Sequence, residues 1–216
     1  MKVMPTPQRK TDRRTLYTRQ VIKDALLELL TENTYDRINV TMLCRQAEIS
    51  RATFYLHYMD LNEVLDEVIR EALEIAENSS YQDDYAAKRA LLMRTLKNGP
   101  DALKGNEKYL APCQRIADHP KYRVLFLDDT LAHYIIHKIY LAERAASVPA
   151  IAKQCRISEK DADLMFMFTI YGFYYVNRSM RWEKNDNWYR MQYMLNHAIE
   201  NGFDSVASLP EDYRKG

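Results

Sequence analysis

The sequence predicts an all-α protein, chiefly because residues that form turns are scarce. Five of the 216 residues are glycine, about 2% against an average near 7%, and none precedes Gly99. Proline is absent between residues 8 and 99. Sheet-rich folds need a turn about every 8–12 residues, which this stretch does not provide. Apolar residues also recur at the i, i+3, i+4 and i+7 positions of a helix, as at Ile22, Ala25, Leu26 and Leu29.

Two very short helices are predicted between two long ones in the first third of the chain. Asn39 is placed to cap a helix over 40–46, and Ser50 is placed to cap another over 51–57, since both side chains are favoured helix N-caps. Residues 47–49 form a tight turn between them. Short helices joined in this way make a helix-turn-helix unit, whose second helix lies in the major groove of DNA.

The residues of this unit that we expect to contact DNA are polar or small. An arginine can bond to guanine through two hydrogen bonds, and the methyl groups of alanine and threonine can touch the thymine methyl. The predicted contact residues are Asn39, Thr41, Ser50, Arg51, Ala52, Thr53, Tyr55 and His57. Pairs of short helices are also common in bundles that have no link to DNA, and the spacing alone leaves that alternative open.

The chain divides unevenly on this interpretation. Residues 1–14 are polar and basic with two prolines, so we expect a flexible basic arm. Residues 15–60 form a three-helix DNA-binding domain. Residues 61–216 form a larger helical domain, joined to the first domain by a helix over 61–78. The two domains together should contain about nine or ten helices.

Three segments of the N-terminal region carry a resemblance to a known family. They are the Ile22, Ala25 and Leu26 pattern, the run INVTMLC over 38–44, and the run AEISRATFYLHY over 47–58. They make the stretch from Thr15 to Leu65 similar to the N-terminal domain of the TetR/AcrR family of bacterial transcriptional regulators. The resemblance implies a homodimeric repressor that binds double-stranded DNA at a palindromic operator and responds to an unidentified small-molecule effector. It also implies that residues 61–216 are the effector-binding and dimerisation domain.

Two positions depart from the family's pattern. Glu48 lies in the turn where the family often has glycine, and a left-handed backbone there is costly for a residue with a Cβ atom. Leu61 lies at the start of the fourth helix, where the family usually has a lysine that touches a phosphate. The basic side chains of the arm are the candidates to replace that contact, namely Arg9, Lys10, Arg13 and Arg14.

The run over 164–176 is apolar around the whole predicted helix, so it needs cover on both sides. Gly172, Trp182 and a last amphipathic helix are similar to the family's closing helix pair, which packs against its copy in a second subunit. The dimer contacts predicted from this are Phe168, Tyr171, Gly172, Tyr175, Trp182 and Tyr193. A central helix in a monomeric bundle would satisfy the same pattern, and that alternative stays open.

The middle of the chain is predicted to hold the effector, by analogy with the family. Helices are expected over about 83–98, 106–118, 122–146 and 148–155. The candidate pocket residues are Tyr109, Cys113, Ile116, Phe126, His133, Tyr134, His137, Tyr171 and Tyr175. Each of these side chains, taken singly, is more typical of core packing than of ligand contact.

Other chemistry has little support in the sequence. His133 and His137 stand at i, i+4, a spacing that can hold zinc with Asp129 as a third ligand, but a histidine pair of this kind is more typical of a polar pocket or surface. The cysteines are isolated and odd in number, which gives no disulfide framework: Cys44, Cys113 and Cys155. No combination of nucleophile, base and orienting group is visible. We therefore predict no metal, no cofactor and no enzymatic activity.

The net charge of +1 conceals two unlike parts of the chain. Residues 1–59 hold ten Lys and Arg against six Asp and Glu, whereas residues 60–216 hold 21 against 24. A basic N-terminal part suits a nucleic-acid partner. The alternative is a helix-turn-helix scaffold that serves as a protein-binding adaptor or coactivator. A gel-shift experiment distinguishes the two hypotheses.

The sequence predicts a cytoplasmic protein without a membrane partner. Residues 1–14 lack the apolar core of a signal peptide. The longest uncharged stretch, residues 164–177, is 14 residues long, short of the roughly 20 needed to span a bilayer.

Overall fold

The described part of the chain is all-helical, as the sequence predicts. A computed structural model describes residues 8–78 and 85–214, and these residues form eleven α-helices and no strand. The helices are α1 (Gln8–Leu29), α2 (Val40–Gln46), α3 (Arg51–Tyr55), α4 (Leu61–Asn78), α5 (Tyr85–Leu96), α6 (Pro112–Asp118), α7 (Arg123–Leu127), α8 (Ala132–Cys155), α9 (Glu159–Ser179), α10 (Asp186–Ala207) and α11 (Glu211–Arg214). Short 3₁₀ helices lie at Tyr35–Arg37, Pro100–Leu103 and Glu107–Tyr109.

The chain forms two compact units. Unit 1 holds the residues up to Ala72 together with Asp128–Thr130, and unit 2 holds the remaining residues. Unit 1 thus contains α1, the helix-turn-helix and most of α4. Unit 2 contains the end of α4 and all helices from α5 onward.

The core of unit 1 is built from the apolar positions that the helical spacing predicts. Ile22 and Leu26 of α1, Leu43 of α2, Phe54 of α3 and Val64 of α4 are all completely buried. Burying a side chain of this size contributes about 1.5–3 kcal/mol. Each of the short helices therefore depends on one large side chain, Leu43 in α2 and Phe54 in α3, to hold it in the core of unit 1.

A short loop between α7 and α8 completes unit 1. Asp128 is 6% exposed, and its Oδ2 accepts a hydrogen bond from the backbone N–H of Tyr35 at 2.7 Å. Its Oδ1 accepts bonds from the backbone N–H and the hydroxyl of Thr130, both at 2.7 Å. Both carboxylate oxygens are thus engaged, and this fixes the loop where the sequence predicts a continuous helix.

The core of unit 2 contains a tryptophan from α10 that lies among leucines. Trp188 is 1% exposed and packs with Leu92 and Leu96 of α5 and with Leu103 and Leu110 of the following segment. Its indole N–H donates a hydrogen bond to Asn177 Oδ1 at 2.7 Å, which satisfies the polar end of the buried ring.

Several helix boundaries differ from those predicted. Residues 1–7 of the predicted arm over 1–14 lie outside the described residues. Residues 8–14 form the first turns of α1, since no glycine or proline interrupts the helix there. The predicted helix over 106–118 is a 3₁₀ turn followed by α6. The break predicted near Ser147 is absent, because α8 continues through Pro149 while Ser147 and Ile151 remain buried.

Within the described residues, no helix combines the length and the apolar character needed to cross a bilayer.

Candidate nucleic-acid interface

The helix-turn-helix begins with two capped helices, as the sequence predicts. Asn39 Oδ1 accepts a hydrogen bond from the backbone N–H of Met42 at 3.0 Å at the start of α2. Ser50 Oγ accepts one from the backbone N–H of Thr53 at 3.0 Å at the start of α3. A cap of this kind contributes about 0.5–2 kcal/mol and fixes the residue at which the helix begins. Here the caps set the direction of α3.

The turn between α2 and α3 adopts the left-handed conformation that is costly for glutamate. Glu48 has φ +51°, and the N–H of Ile49 donates to the carbonyl of Cys44 at 3.0 Å. A helix end of this type, with a left-handed residue and such a bond, usually has glycine at the left-handed position. Here the residue is a glutamate, which carries a Cβ atom. The turn is thus not rearranged to avoid the left-handed region.

Most of the predicted DNA-contacting side chains are exposed, and they come together at the start of α2 and along α3. Thr53 and His57 are half-buried, and the Ser50 and Thr53 hydroxyls lie 2.9 Å apart. The exposed members of the set are Asn39, Thr41, Ser50, Arg51, Ala52 and Tyr55. Phe54 and Tyr58 face the core instead. This division follows from the helical spacing and leaves one face of α3 accessible.

Arg51 and Tyr55 lie one turn apart on the exposed side of α3. The Tyr55 hydroxyl beside its guanidinium raises the pKa of Arg51. The Tyr55 ring also packs edge-on against Phe54, with 5.3 Å between ring centroids. These contacts orient a guanidinium and a phenol on the surface that the sequence assigns to base reading.

Two exposed apolar side chains beside α3 were not among the predicted contacts. Leu56 is 82% exposed and Met59 is 81% exposed. Leu56 lies between the core-facing Phe54 and Tyr58, and Met59 follows Tyr58. Helical spacing therefore places both side chains outside the core. Neither residue type donates a hydrogen bond, so neither carries the sequence signal of a base-reading group.

A cluster of charged residues holds α1 and α4 against the end of the helix-turn-helix. Glu67 accepts hydrogen bonds from Arg19 Nε at 3.1 Å and from the Tyr58 hydroxyl at 2.9 Å. Lys23, only 7% exposed, lies 3.4 Å from Glu67 and 3.1 Å from Glu71. The Arg19 guanidinium also lies over the Tyr58 ring, 4.5 Å from its centroid. We call these five residues the Glu67 cluster.

The Glu67 cluster keeps its central carboxyl ionised. Burial alone would raise the pKa of Glu67, but hydrogen bonds from Arg19 and Tyr58 and the positive charges of Arg19 and Lys23 outweigh it and lower the pKa to about 2. Arg19 Nη1 also donates to the backbone carbonyl of His57 at 3.3 Å. The cluster therefore fixes the main chain directly after α3.

The start of α4 has no basic side chain, and its polar groups bind within unit 1. Asn62 Oδ1 accepts a hydrogen bond from the Tyr35 hydroxyl at 2.9 Å, and Leu61 is half-buried. Arg9 and Lys10 belong to α1, but their side chains lie outside the described part of the chain.

The predicted dimer residues separate into exposed and buried groups. Phe168 is 74% exposed and Tyr175 is 45% exposed, and Gly172 between them is also exposed. Tyr171 and Tyr193 are half-buried.

Trp182 corrects this part of the prediction, because at 3% exposure it is a core residue. Its backbone is left-handed, with φ +55°, directly after α9. Its ring packs 5.0 Å from Phe126 and 5.3 Å from Tyr174, measured between centroids.

Most of the predicted effector residues lie outside the cavity that the structure describes in unit 2. A cavity in unit 2 holds about 750 Å³ of empty space with its open mouth, and of the nine candidates only Tyr109 lines it. Cys113, Ile116 and Phe126 are core residues. Within the described chain, His133, Tyr134, His137, Tyr171 and Tyr175 lie on α8 and α9 away from the cavity lining. Helix spacing identifies a face, and it does not show which face borders empty space.

The two histidines of α8 form an exposed aromatic group with α9. Their rings stack at 6.3 Å between centroids, and the Tyr171 hydroxyl lies 3.4 Å from His137 Nδ1. Among the residues that the structure describes, no group of three or more His, Cys, Asp or Glu side chains is arranged to hold a metal ion.

Part of the chain is similar to a known bacterial protein. No family model matches the chain. The chain is 32% identical over 103 residues to the uncharacterized HTH-type transcriptional regulator YxbF of Bacillus subtilis (strain 168), an alignment that covers 43% of this chain and 27% of the relative. The chain thus spans about a quarter of the length of that relative.

A solved structure is also similar to this chain. It is the TetR family repressor AlkX from Dietzia sp. strain DQ12-45-1b, with a TM-score of 0.46 and 15% identity over 88% of this chain and 97% of the other. The chain is an all-helical protein with a capped helix-turn-helix, and it is similar over part of its length to a protein described as an HTH-type transcriptional regulator.

Proposed function

We propose that the chain is a DNA-binding transcriptional regulator of the TetR/AcrR type, with α3 as the recognition helix. The geometry of α3 carries the proposal. The helix begins at the Ser50 cap, exposes Arg51, Ala52 and Tyr55, and rests on the buried ring of Phe54. Base edges in the major groove are read by side chains near the start of such a helix.

The charge distribution supports a DNA partner. Residues 1–59 carry a formal surplus of four positive charges, and residues 60–216 carry a deficit of three. Contacts between basic side chains and phosphates supply most of the non-specific affinity for DNA, and they weaken as salt rises. The apolar Leu56 and Met59 beside α3 can approach sugar or thymine methyl groups, since neither needs a hydrogen-bond partner.

The active form we propose is a homodimer on a palindromic operator. Phe168 and Tyr175 expose large apolar surfaces on α9, with the exposed Gly172 between them. Built on the backbone, a Cβ atom at Gly172 would meet nothing within 4 Å, so a partner helix has room to approach. Two recognition helices in a dimer need a spacing of about 34–36 Å to enter successive major grooves.

We propose that the chain represses transcription in the cytoplasm of a bacterium and that a small molecule relieves this repression. An effector that binds unit 2 more tightly in one arrangement of the recognition helices than in the other would shift the population toward that arrangement. The chain would then act by binding alone, without catalysis.

Direct measurement of DNA binding tests the proposal. The full chain is incubated with DNA from upstream of its own gene and with a library of random palindromes, and binding is followed by fluorescence anisotropy. We expect one enriched palindrome whose affinity falls steeply with salt. Binding to no palindrome would contradict the regulator hypothesis and favour a protein-binding adaptor.

A further inference from the structure

The cavity of unit 2 lies where five segments meet. Its wall contains Arg89 from α5, Arg115 from α6, Ser147 from α8, Phe166 from α9 and Asn196 from α10. The centre of a water molecule can move through about 110 Å³ of the cavity, several times the ~10–15 Å³ that a single water requires. A small organic molecule of about ten heavy atoms is of suitable size.

One buried hydroxyl in the wall has no hydrogen-bond partner. Ser147 is 1% exposed, and its Oγ makes no hydrogen bond within the described residues. A helical serine usually bonds to a carbonyl one turn earlier, and leaving a buried polar group unsatisfied costs about 1–3 kcal/mol. Such a group in a cavity wall is explained by a ligand or a water that accepts or donates the missing bond.

The charges in the wall are mainly positive. Arg89 is already engaged, because it donates to Glu200 at 2.8 Å and to the side chain and backbone carbonyl of Asn196 at 2.6 and 2.9 Å. Arg115 donates to the backbone carbonyl of Ala76.

Lys88 is the cation of the wall that pairs with no acidic side chain in the described part of the chain. It lines the cavity and has no ion pair among the described residues, whereas Glu143 is the acidic residue in the lining. Glu200 compensates Arg89, so Lys88 is the positive charge of the wall that a ligand can bind.

The rest of the lining is mainly apolar and includes four aromatic side chains. Successive turns of α9 line the cavity with Phe166, Ile170 and Phe173. From α5, Tyr85 and Leu92 also line it. Pockets of this composition bind the body of a ligand by apolar contact, and their few polar groups fix its orientation.

We propose that the cavity binds a small aromatic or aliphatic carboxylate. The carboxylate binds to Lys88, the Ser147 hydroxyl donates to it, and the apolar body lies against Phe166 and Phe173. The identity of this ligand as the effector rests on the proposed function, whereas its binding to unit 2 does not.

Matched probes test the charge preference on the full chain. Calorimetric titration compares 3-phenylpropionate with 3-phenylpropanol and 3-phenylpropylammonium, which share one apolar body and differ in charge. We expect the carboxylate to bind at least tenfold more tightly than either of the others. Equal affinities, tighter binding of the ammonium, or no binding of the carboxylate would each overturn the proposal.

Variants then locate the site. Lys88→Met is expected to weaken binding of the carboxylate at least fivefold and to leave the alcohol within twofold. Lys160→Met, which removes the same charge from an exposed position on α9, is expected to change neither. Ser147→Ala is expected to weaken the carboxylate about threefold without lowering the melting temperature of the free protein, since its hydroxyl has no partner there. An unchanged affinity in both cavity variants would refute the site.

Binding to the operator is measured separately from binding of the carboxylate. If the carboxylate binds as expected and the chain binds no operator, the ligand proposal holds and the regulator proposal fails. If the chain binds an operator and the carboxylate does not bind, the reverse conclusion follows.

Discussion

Replacing Glu67 with glutamine removes the negative charge that Arg19 and Lys23 share between α1 and α4. The pKa of Glu67 lies at about 2 in the folded chain, against an ordinary value of 4.5. At 1.36 kcal/mol per pKa unit this difference corresponds to at most about 3 kcal/mol of stability at neutral pH. Arg19 is 30% exposed and partly screened by water, so we expect about 1–3 kcal/mol.

The pH dependence has a definite sign. Between about pH 5 and pH 2 the unfolded chain binds a proton at this carboxyl that the folded chain does not, so the stabilisation is complete above that range and disappears as pH falls through it. Wild type and Glu67→Gln should therefore differ most at pH 7 and converge near pH 2.

Urea unfolding at pH 7 and pH 3 measures this difference, and two optical signals localise it. Both tryptophans, Trp182 and Trp188, belong to unit 2, so their fluorescence reports on that unit, whereas circular dichroism reports on all helices. We expect Glu67→Gln to shift part of the dichroism transition and to leave the fluorescence transition in place. Glu74→Gln, an exposed change on α4, is the control. A loss below about 0.5 kcal/mol at pH 7, or a pH dependence equal to that of wild type, would refute the role of the cluster.

Three further predictions concern the turn, the dimer and the DNA backbone. Glu48→Gly is expected to raise the free energy of unfolding by up to about 1 kcal/mol in urea titrations, because it relieves a left-handed conformation at φ +51°; a loss of stability would contradict this. Phe168→Asp is expected to convert the proposed dimer to a monomer in analytical ultracentrifugation. The control Leu91→Asp, on the exposed side of α5, should leave the dimer unchanged. An intact Phe168→Asp dimer would exclude this face of α9 as the dimer interface. His57→Ala is expected to weaken binding to all DNA sequences alike, and a changed sequence preference in a binding selection would assign it to base reading instead.

The parts of the structure that depend on local chemistry are predictable from the sequence. Asn39 and Ser50 cap the two short helices because their side chains bond to amides three residues away, and this interaction is visible in sequence order. The burial of Ile22, Leu26 and Phe54 follows from helical spacing in the same way. The helix-turn-helix is therefore recognisable from about twenty residues.

Contacts between distant segments account for the errors. Pro149 continues α8 because buried neighbours hold the helix together, and Asp128 ends a predicted helix by bonding to Tyr35, which lies 93 residues away. Trp182 turns into the core through a left-handed backbone that no local signal marks. The lining of the cavity depends on which faces of five segments leave space between them, so the residue types alone could identify only Tyr109.

The assignment of α3 as the helix that reads DNA sequence is the central claim, and Arg51→Ala tests it most directly. Binding of wild type, Arg51→Ala and the control Arg70→Ala, an exposed arginine on α4, is measured against the enriched palindrome and its single-base variants. We expect Arg51→Ala to cost about 1–3 kcal/mol and to relax preference at one base pair in each half-site, while Arg70→Ala retains the preference of wild type. Unchanged affinity and unchanged sequence preference in Arg51→Ala would contradict the account.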